Sequence, residues 1–215
     1  GYYRGIGWYR KQIYIPADKK DKQVTVYFEG ANQEVELYVN GISAGKHLGG
    51  YTRFCFDITK YVRIGEQNLF AVKVNNRFND EIPPLSADFT FFGGVYRDAY
   101  LVFTNNIHVS TSYCASAGVY FQTPKVNTRE AQLDIKTLLS NATASNCKLR
   151  VEQTIVDPQN KTVLVGSKNT QLVKNTTETA FNQSFIITNP QLWSPDSPSL
   201  YKVITRIFNA KTNEL

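Results

Sequence analysis

An alternation of apolar and polar side chains with a period of two dominates this sequence. Val35, Leu37 and Val39 alternate with more polar neighbours, and the same pattern recurs at 24–29 and 70–74. This period is typical of strands that turn one face to a hydrophobic core. Glycine and proline interrupt the pattern repeatedly, and no long segment keeps a helical period. The sequence therefore predicts an all-β fold built of short strands in sandwiches.

The dipeptide Asn40-Gly41 directly follows one alternating segment. Both residue types tolerate positive φ, which the two-residue turns of β-hairpins require. The sequence therefore predicts a tight hairpin turn at this point. The closest approach to a helix is at 57–63, where we expect a single turn at the end of a strand.

The length and the glycine distribution predict two domains. The chain has 215 residues, and a domain typically takes roughly 100–200. Glycine falls from 11 residues in 1–100 to two in 101–215. We place the boundary near Asn105-Asn106, with a jelly-roll-like β-sandwich at 1–105 and an immunoglobulin-like β-sandwich of about seven strands at 106–215. In the second domain, strands are predicted at 132–136, 149–156, 162–165, 170–173, 181–187 and 201–208.

Charge and hydropathy argue against two classes of partner. The net charge is +6, and its densest cluster, at 19–22, is diluted by Asp21 and by the neighbouring Asp18. Proteins that bind nucleic acid usually concentrate basic residues on one face or in runs. No apolar run approaches the roughly 18 residues of a membrane helix. We therefore expect neither a nucleic-acid partner nor a membrane partner.

The metal-ligating residue types are sparse. The three cysteines form no C-x-x-C pair and the chain has only two histidines, so we expect no metal site and no cofactor. Cys55 alternates with Phe54 and Phe56 and is predicted to lie in the core. A disulfide between Cys114 and Cys147 is possible, but the sequence does not indicate one.

No motif in the chain supplies chemistry by itself. It has no Ser-His-Asp arrangement, no H-E-x-x-H and no phosphate-binding loop. Asp80-Glu81 is the obvious carboxylate pair, but adjacent side chains in an extended segment point apart. These two, with Arg77 and Asn79, are expected to belong to a solvated loop. We predict no catalytic residue.

Several aromatic and charged residues have competing interpretations. Trp8 and Tyr9 are predicted to be core aromatics, and Trp193 is predicted to pack between domains. Tyr51 and His47 suit either packing or contact with a sugar, whose C–H face packs well on an aromatic ring. A buried Arg-Asp pair is predicted at 97–98, where the planar guanidinium would bind the carboxylate with two hydrogen bonds.

Several phrases of the first half resemble, in their number and order, the N-terminal sugar-binding domain of glycoside hydrolase family 2. That family includes β-galactosidases, β-glucuronidases and β-mannosidases. The phrase PQLWSPDSPSLY at 190–201 resembles the closing strand of the family's second, immunoglobulin-like domain. The phrases of the first half are YYRGIGWYRK at 2–11, VNG at 39–41, GKH at 45–47, GGYT at 49–52, DIT at 57–59, PLSADF at 84–89 and FGGVYRD at 92–98.

The resemblance implies a galactose-binding-like first sandwich and a third domain, a downstream (β/α)₈ barrel that carries both catalytic glutamates. The chain is then expected to be the non-catalytic N-terminal part of a larger β-galactosidase-like enzyme that acts on a β-glycoside. Its own start also looks truncated, so that the first sandwich would lack an edge strand. The resemblance further implies that Asp88 reaches the sugar in the cleavage subsite, where a carboxylate can accept bonds from two hydroxyls.

Two other functions remain open from the residues. A stand-alone carbohydrate-binding module with an accessory sandwich would bind sugar as the isolated chain. An adhesion-type pair of sandwiches would bind no sugar. For Asp88 itself, the alternative role is a loop residue that caps nearby amides.

Overall fold

The computed structural model describes residues 3–214, and the chain divides into two compact units. Unit 1 comprises Gly1–Asn106 with Cys114–Ser116, and unit 2 comprises Ile107–Tyr113 with Ala117–Leu215. The predicted all-β fold is confirmed, since the helical content of residues 3–214 is one 3-10 turn at Ala17–Lys19. No helix in the described part of the chain is long and apolar enough to cross a membrane.

Unit 1 consists of two main sheets and a short two-stranded one. The first sheet has the strand order β1-β7-β4-β5, the second has the order β6-β2-β9, and β3 pairs with β8. The strands are β1 (Ile6–Tyr14), β2 (Gln23–Phe28), β3 (Ala31–Asn32), β4 (Glu34–Val39), β5 (Ile42–Leu48), β6 (Phe54–Asp57), β7 (Gln67–Asn75), β8 (Gly94–Val95) and β9 (Ala99–Thr104).

The core of unit 1 follows the predicted alternation. Val35, Leu37 and Val39 of β4 are buried, and the register places Leu37 opposite Val72 of β7. Phe28 and Phe54 of the second sheet stack in the same core, with ring centroids 4.9 Å apart. One face of each strand therefore forms the hydrophobic layer, as the period of two requires.

The predicted hairpin turn is confirmed. Asn40 and Gly41 connect β4 to β5 with φ of 52° and 83°, and Val39 pairs with Ile42 across the turn. These left-handed angles fit a two-residue turn whose twist matches that of the flanking strands.

The prediction that Trp8 and Tyr9 are core aromatics is wrong. Trp8 is 44% exposed and Tyr9 is 46% exposed. Both lie on β1, which is the edge strand of its sheet and pairs only with β7 among the described residues. The register puts Tyr9 opposite the inward-facing Val72, so Tyr9 faces the inner side of the sheet but is not covered there.

Unit 2 also contains two sheets. One has β12 at its centre, paired with β10, β11 and β15, and the other has the order β14-β13-β16. Leu139, Leu149 and Leu172 are fully or almost fully buried in its core. The strands are β10 (Ile107–Val109), β11 (Val119–Gln122), β12 (Glu130–Asn141), β13 (Cys147–Val156), β14 (Thr162–Leu172), β15 (Thr176–Thr188) and β16 (Lys202–Asn209).

One strand of unit 2 was divided wrongly in the sequence prediction. The segments 162–165 and 170–172 belong to the single strand β14, which ends one residue before the predicted end at Val173 and pairs with β13 along nearly its whole length. The continuous ladder carries the strand through Gly166, where the ring of Phe185 occupies the space that a Cβ would need. A side chain at this point of the strand would therefore require the ring of Phe185 to move.

The cysteines form no disulfide in the described residues. Cys55 is half-buried and is not part of the core, because Phe54 and Phe56 on either side take the inward positions of β6. Its predicted core position is therefore wrong by one residue of the strand period. Desolvation is the main reason why the pKa of the Cys55 thiol is raised.

Candidate functional site

The predicted site residue Asp88 lies in the loop 76–93, which connects β7 to β8 in unit 1. The side chain of Asn76 fixes the start of this loop. Its Oδ1 accepts a hydrogen bond from the amide of Gly5 at 2.7 Å, and its Nδ2 donates to the carbonyl of Tyr3 at 3.0 Å. An amide side chain suits this role because it donates and accepts at once.

Glu34 holds the next part of the loop. Its Oε2 accepts a hydrogen bond from Nδ2 of Asn75 and its Oε1 accepts one from Nδ2 of Asn79, both at 2.8 Å. The side chain of Ile82 is 5% exposed and anchors the loop to the sandwich. Hydrogen bonds and apolar packing therefore both hold the loop against the sandwich, although it contains no regular secondary structure.

Three of the sequence phrases meet at this loop. The rings of Tyr51 and Phe89 meet edge to face with centroids 5.9 Å apart, and Phe92 stacks on Tyr96 at the same distance. The hydroxyl of Tyr96 donates to the carbonyl of Gly50 at 2.6 Å. We call Tyr51, Phe89, Phe91, Phe92 and Tyr96 the aromatic cluster.

The aromatic cluster is partly open to solvent. Phe89 is 50% exposed and Phe92 is 57% exposed. Exposed apolar side chains grouped in this way are typical of binding surfaces. The cluster could therefore contact the C–H face of a sugar or another part of a protein.

Asp88 is an exposed carboxylate beside this cluster, and no described residue donates a hydrogen bond to it or pairs with it. Glu29, whose backbone carbonyl accepts a hydrogen bond from Arg97, differs in this respect. It accepts hydrogen bonds from Tyr100 at 2.7 Å and from Arg53 at 3.0 Å. The bond from Tyr100 is the main reason why the pKa of Glu29 is lowered. Of these two carboxylates, only Asp88 has its oxygens available for a ligand.

The predicted buried ion pair at 97–98 is wrong. Both side chains are exposed, and no salt bridge joins them. Arg97 instead donates to the carbonyls of Glu29 and Tyr51 at 3.4 and 3.3 Å, and its guanidinium lies over the ring of Tyr96. Arg97 binds these carbonyls and not the carboxylate of Asp98, because the carbonyls lie on the two segments that flank its side chain. The arginine thereby connects these segments to the aromatic cluster.

The side chain of His47 is partly buried and packs against the second sheet of unit 1. Its ring stacks on Phe54 with centroids 3.9 Å apart. Its Nε2 is buried and has no hydrogen-bond partner among the described residues. Burial lowers the pKa of His47, because the protonated ring would lose hydration.

We predict that this histidine makes unit 1 less stable in mild acid. A folded-state pKa below the unfolded value of about 6.5 means that the unfolded chain binds more protons, so stability falls as the pH drops through that range. The melting temperature of the wild type should fall between pH 7.5 and pH 5, and His47→Phe should reduce this fall because it keeps the stacking. Equal slopes for the two proteins in differential scanning calorimetry would contradict the prediction.

Comparison with known proteins identifies the family to which this arrangement belongs. The model of the glycosyl hydrolases family 2 sugar binding domain matches residues 2–105, and the model of glycosyl hydrolases family 2 matches residues 117–215. The chain belongs to glycosyl hydrolase family 2. The loop with Asp88 and the aromatic cluster both lie within the part of this family 2 chain that matches the sugar-binding domain.

Individual family 2 proteins resemble the chain along nearly its whole length. It is 35% identical to a beta-galactosidase of Thermoanaerobacter pseudethanolicus over 95% of its residues, and 36% identical to a beta-glucuronidase of Bacteroides fragilis over 94%. The crystal structure of a beta-glucuronidase from Bacteroides uniformis matches all of the chain with a TM-score of 0.95 and 37% identity. The chain spans only 26%, 29% and 25% of these three proteins.

Sequence reasoning missed the residues that hold the loop in place. It singled out the loop, but gave no role to Glu34 or Asn76 and did not bring Tyr51 together with Phe89. A glutamate on an alternating strand is indistinguishable from a solvated one by pattern. An asparagine close to the end of a predicted strand is a weak signal of a turn, and that is the only local sign that Asn76 offered.

Proposed function

We propose that this chain is the non-catalytic N-terminal part of a retaining β-glycosidase that hydrolyses terminal β-linked sugars. The observation that carries the proposal is the match of both halves to family 2, in proteins of which the chain spans about a quarter. A retaining glycosidase needs two carboxylates about 5–5.5 Å apart. In the family, a downstream barrel carries both, so the remaining polypeptide would supply the chemistry.

The chain would then have two roles in the enzyme. Its sandwiches buttress the barrel, and Asp88 completes the sugar-binding pocket from outside the barrel. The available oxygens of Asp88 support the second role, since a carboxylate can accept hydrogen bonds from two neighbouring hydroxyls of one pyranose. The attachments of the loop through Asn76 and Glu34 support it as well, because a ligand contact gains most when the group is already held in place.

The names of the relatives guide the choice of substrate. They include beta-galactosidases and beta-glucuronidases. We propose a β-galactoside as the first substrate to assay and a β-glucuronide as the second. Both sugars offer the adjacent hydroxyls that a single carboxylate can bind.

The isolated chain is predicted to hydrolyse nothing and to bind simple sugars too weakly to measure. A single sugar-binding carboxylate cannot act as nucleophile and general acid at the same time. The measurement is release of nitrophenol from nitrophenyl β-galactoside and β-glucuronide by the 215-residue chain, with the full-length enzyme as the positive control. Turnover in a clean preparation would contradict the proposal. Saturable heat on titration with galactose or glucuronic acid would favour the alternative, a stand-alone carbohydrate-binding module.

A further inference from the structure

Unit 2 has a groove on the sheet that contains β12, and polar side chains form much of its lining. The groove has a volume of about 490 Å³, which falls within the range of roughly 300–1,000 Å³ that small-molecule sites span. Three consecutive residues from each of three strands line it, namely 120–122 of β11, 134–136 of β12 and 182–184 of β15. The groove therefore crosses the strands and does not follow any one of them.

The strand register divides this lining into two rows of side chains and a floor. One row consists of Tyr120, Lys136 and Asn182, and the other consists of Gln122, Asp134 and Ser184. Ile135, between the rows on β12, is 1% exposed and belongs to the core. Because successive side chains of a strand point to opposite faces, both rows point to the outer face of the sheet. The rows lie two residues apart, about 6.7 Å, which leaves an open channel between them.

Two opposite charges face each other across the middle of the groove. Lys136 and Asp134 both lie on the central strand β12, and no salt bridge joins them among the described residues. The ammonium group of Lys136 instead lies over the ring of Tyr120, 5.0 Å from its centroid. Asp134 accepts hydrogen bonds from Ser184 at 2.6 Å and from Gln132 at 3.0 Å. These bonds fix the orientation of the carboxylate and lower its pKa, with that from Gln132 as the larger cause.

The side-chain amides at two opposite corners of the groove are available to a ligand. Gln122 and Asn182 are both exposed, and neither side chain has a hydrogen-bond partner among the described residues. An amide side chain donates and accepts hydrogen bonds at once. The groove therefore offers donors and acceptors on the two outer strands, β11 and β15, as well as the carboxylate on β12.

These features fit a neutral saccharide better than other ligands. The charges of Lys136 and Asp134 cancel, so the groove has no net charge to attract an anion or a cation. Hydroxyl groups donate and accept, as the amides of Gln122 and Asn182 do. The ring of Tyr120 and the apolar stem of Lys136 supply a surface for the C–H groups of a sugar. A peptide strand would instead need a sheet edge for its backbone, and this groove lies on a sheet face.

We propose that this groove binds a neutral oligosaccharide, which lies across β11, β12 and β15 between the two rows. Asp134 accepts hydrogen bonds from hydroxyls at the centre, while Gln122 and Asn182 bind hydroxyls at the two ends. A monosaccharide would not reach all three strands, so measurable affinity is expected only for a longer sugar. Binding in unit 2 goes beyond the proposed function, because it requires neither Asp88 nor any hydrolysis.

The test is a titration of the nitrogen-15-labelled 215-residue chain with the neutral β-linked tetrasaccharide galactotetraose, followed by NMR. We expect saturable shifts of the amide signals of 120–122, 134–136 and 182–184. The double variant Gln122→Ala/Asn182→Ala should raise Kd at least about fivefold, as expected when two neutral hydrogen bonds are lost. The matched control is Asn169→Ala/Gln171→Ala, which replaces the same two residue types at exposed positions of β14 in the other sheet. It should leave Kd within about twofold.

A second probe separates a neutral saccharide from an anion. Tetragalacturonic acid should bind no more tightly than galactotetraose, and Kd for galactotetraose should change less than about twofold between low and high salt, because screening weakens only charge attraction. The absence of saturable shifts in the three segments would overturn the proposal. Equal losses of affinity in the two double variants would overturn it as well. Tighter, salt-dependent binding of tetragalacturonic acid would show that the groove is an anion site at Lys136. Shifts confined to the loop 76–93 would place the sugar beside Asp88 instead. Hydrolysis of the nitrophenyl glycosides is measured separately, so a failure of the proposed function leaves this result unchanged.

Discussion

Replacing Asp88 by alanine in the full-length enzyme is expected to lower kcat/KM by about 100-fold or more. A hydrogen bond to a charged group contributes about 1.5–3 kcal/mol, and the proposed carboxylate accepts bonds from two hydroxyls. Contacts to sugar hydroxyls strengthen towards the transition state, so most of the loss should appear in kcat and not only in KM. The measurement is steady-state hydrolysis of nitrophenyl β-galactoside and nitrophenyl β-glucuronide.

The matched control lies in the same loop. Asp80 is also an exposed carboxylate, but it is expected to be solvated, so Asp80→Ala should leave kcat/KM within about twofold, as for most surface substitutions. Asp88→Asn should fall between the alanine variant and the wild type, because it keeps one acceptor and removes the charge. An unchanged kcat/KM for Asp88→Ala, with an unchanged melting temperature, would contradict the sugar contact and leave Asp88 as an ordinary loop residue.

The sequence predicted those parts of the fold that depend on local pattern. The alternation in β4 identified which side of the strand is buried, and Asn40-Gly41 identified the turn that follows it. Both signals are local, since the period of a strand and the φ of a turn residue are set within a few positions. For the same reason the all-β class followed from the sequence.

The failures have non-local causes. The burial of Trp8 and Tyr9 depends on what faces β1 across the sandwich, and no pattern within β1 contains that information. The continuity of β14 depends on its partner β13, whose unbroken ladder extends the strand beyond the two apolar segments. Arg97 binds the backbone carbonyls of distant segments in preference to its neighbour Asp98, and only the folded chain brings those carbonyls together.

The candidate site was likewise predictable only in part from the sequence. A resemblance to known proteins selected Asp88, whereas the residues themselves would have allowed any exposed carboxylate of the loop. What the structure added is the aromatic cluster, formed by residues from 51 and from 89–96, together with the anchoring of the loop by Asn76 and Glu34. These contacts join segments up to 73 positions apart. Such long-range contacts follow from the order of strands in the sheets, which the sequence pattern does not specify.

Asn68 is predicted to be the most costly polar residue to replace in unit 1. It lies on β7, is 0% exposed and has its hydrogen-bonding capacity filled. Its Oδ1 accepts from Nδ2 of Asn40 at 2.8 Å and from the amide of Arg63 at 2.7 Å, and its Nδ2 donates to the carbonyls of Arg63 and Glu66 at 2.8 and 3.0 Å. The side chain thereby joins β7 to the hairpin turn and to the segment before β7.

We expect Asn68→Ala to lower the free energy of unfolding of unit 1 by about 3 kcal/mol, because buried partners left without a hydrogen bond cost about 1–3 kcal/mol each. Urea denaturation followed by tryptophan fluorescence measures this loss. A Trp193→Phe background leaves Trp8 as the reporter, since the chain has two tryptophans and Trp8 lies in unit 1. The neighbouring Gln67 is exposed, so Gln67→Ala should change stability by less than about 0.5 kcal/mol. A loss below about 1 kcal/mol for Asn68→Ala would mean that water replaces the amide at this position, and that the backbone ladder alone holds the turn to β7.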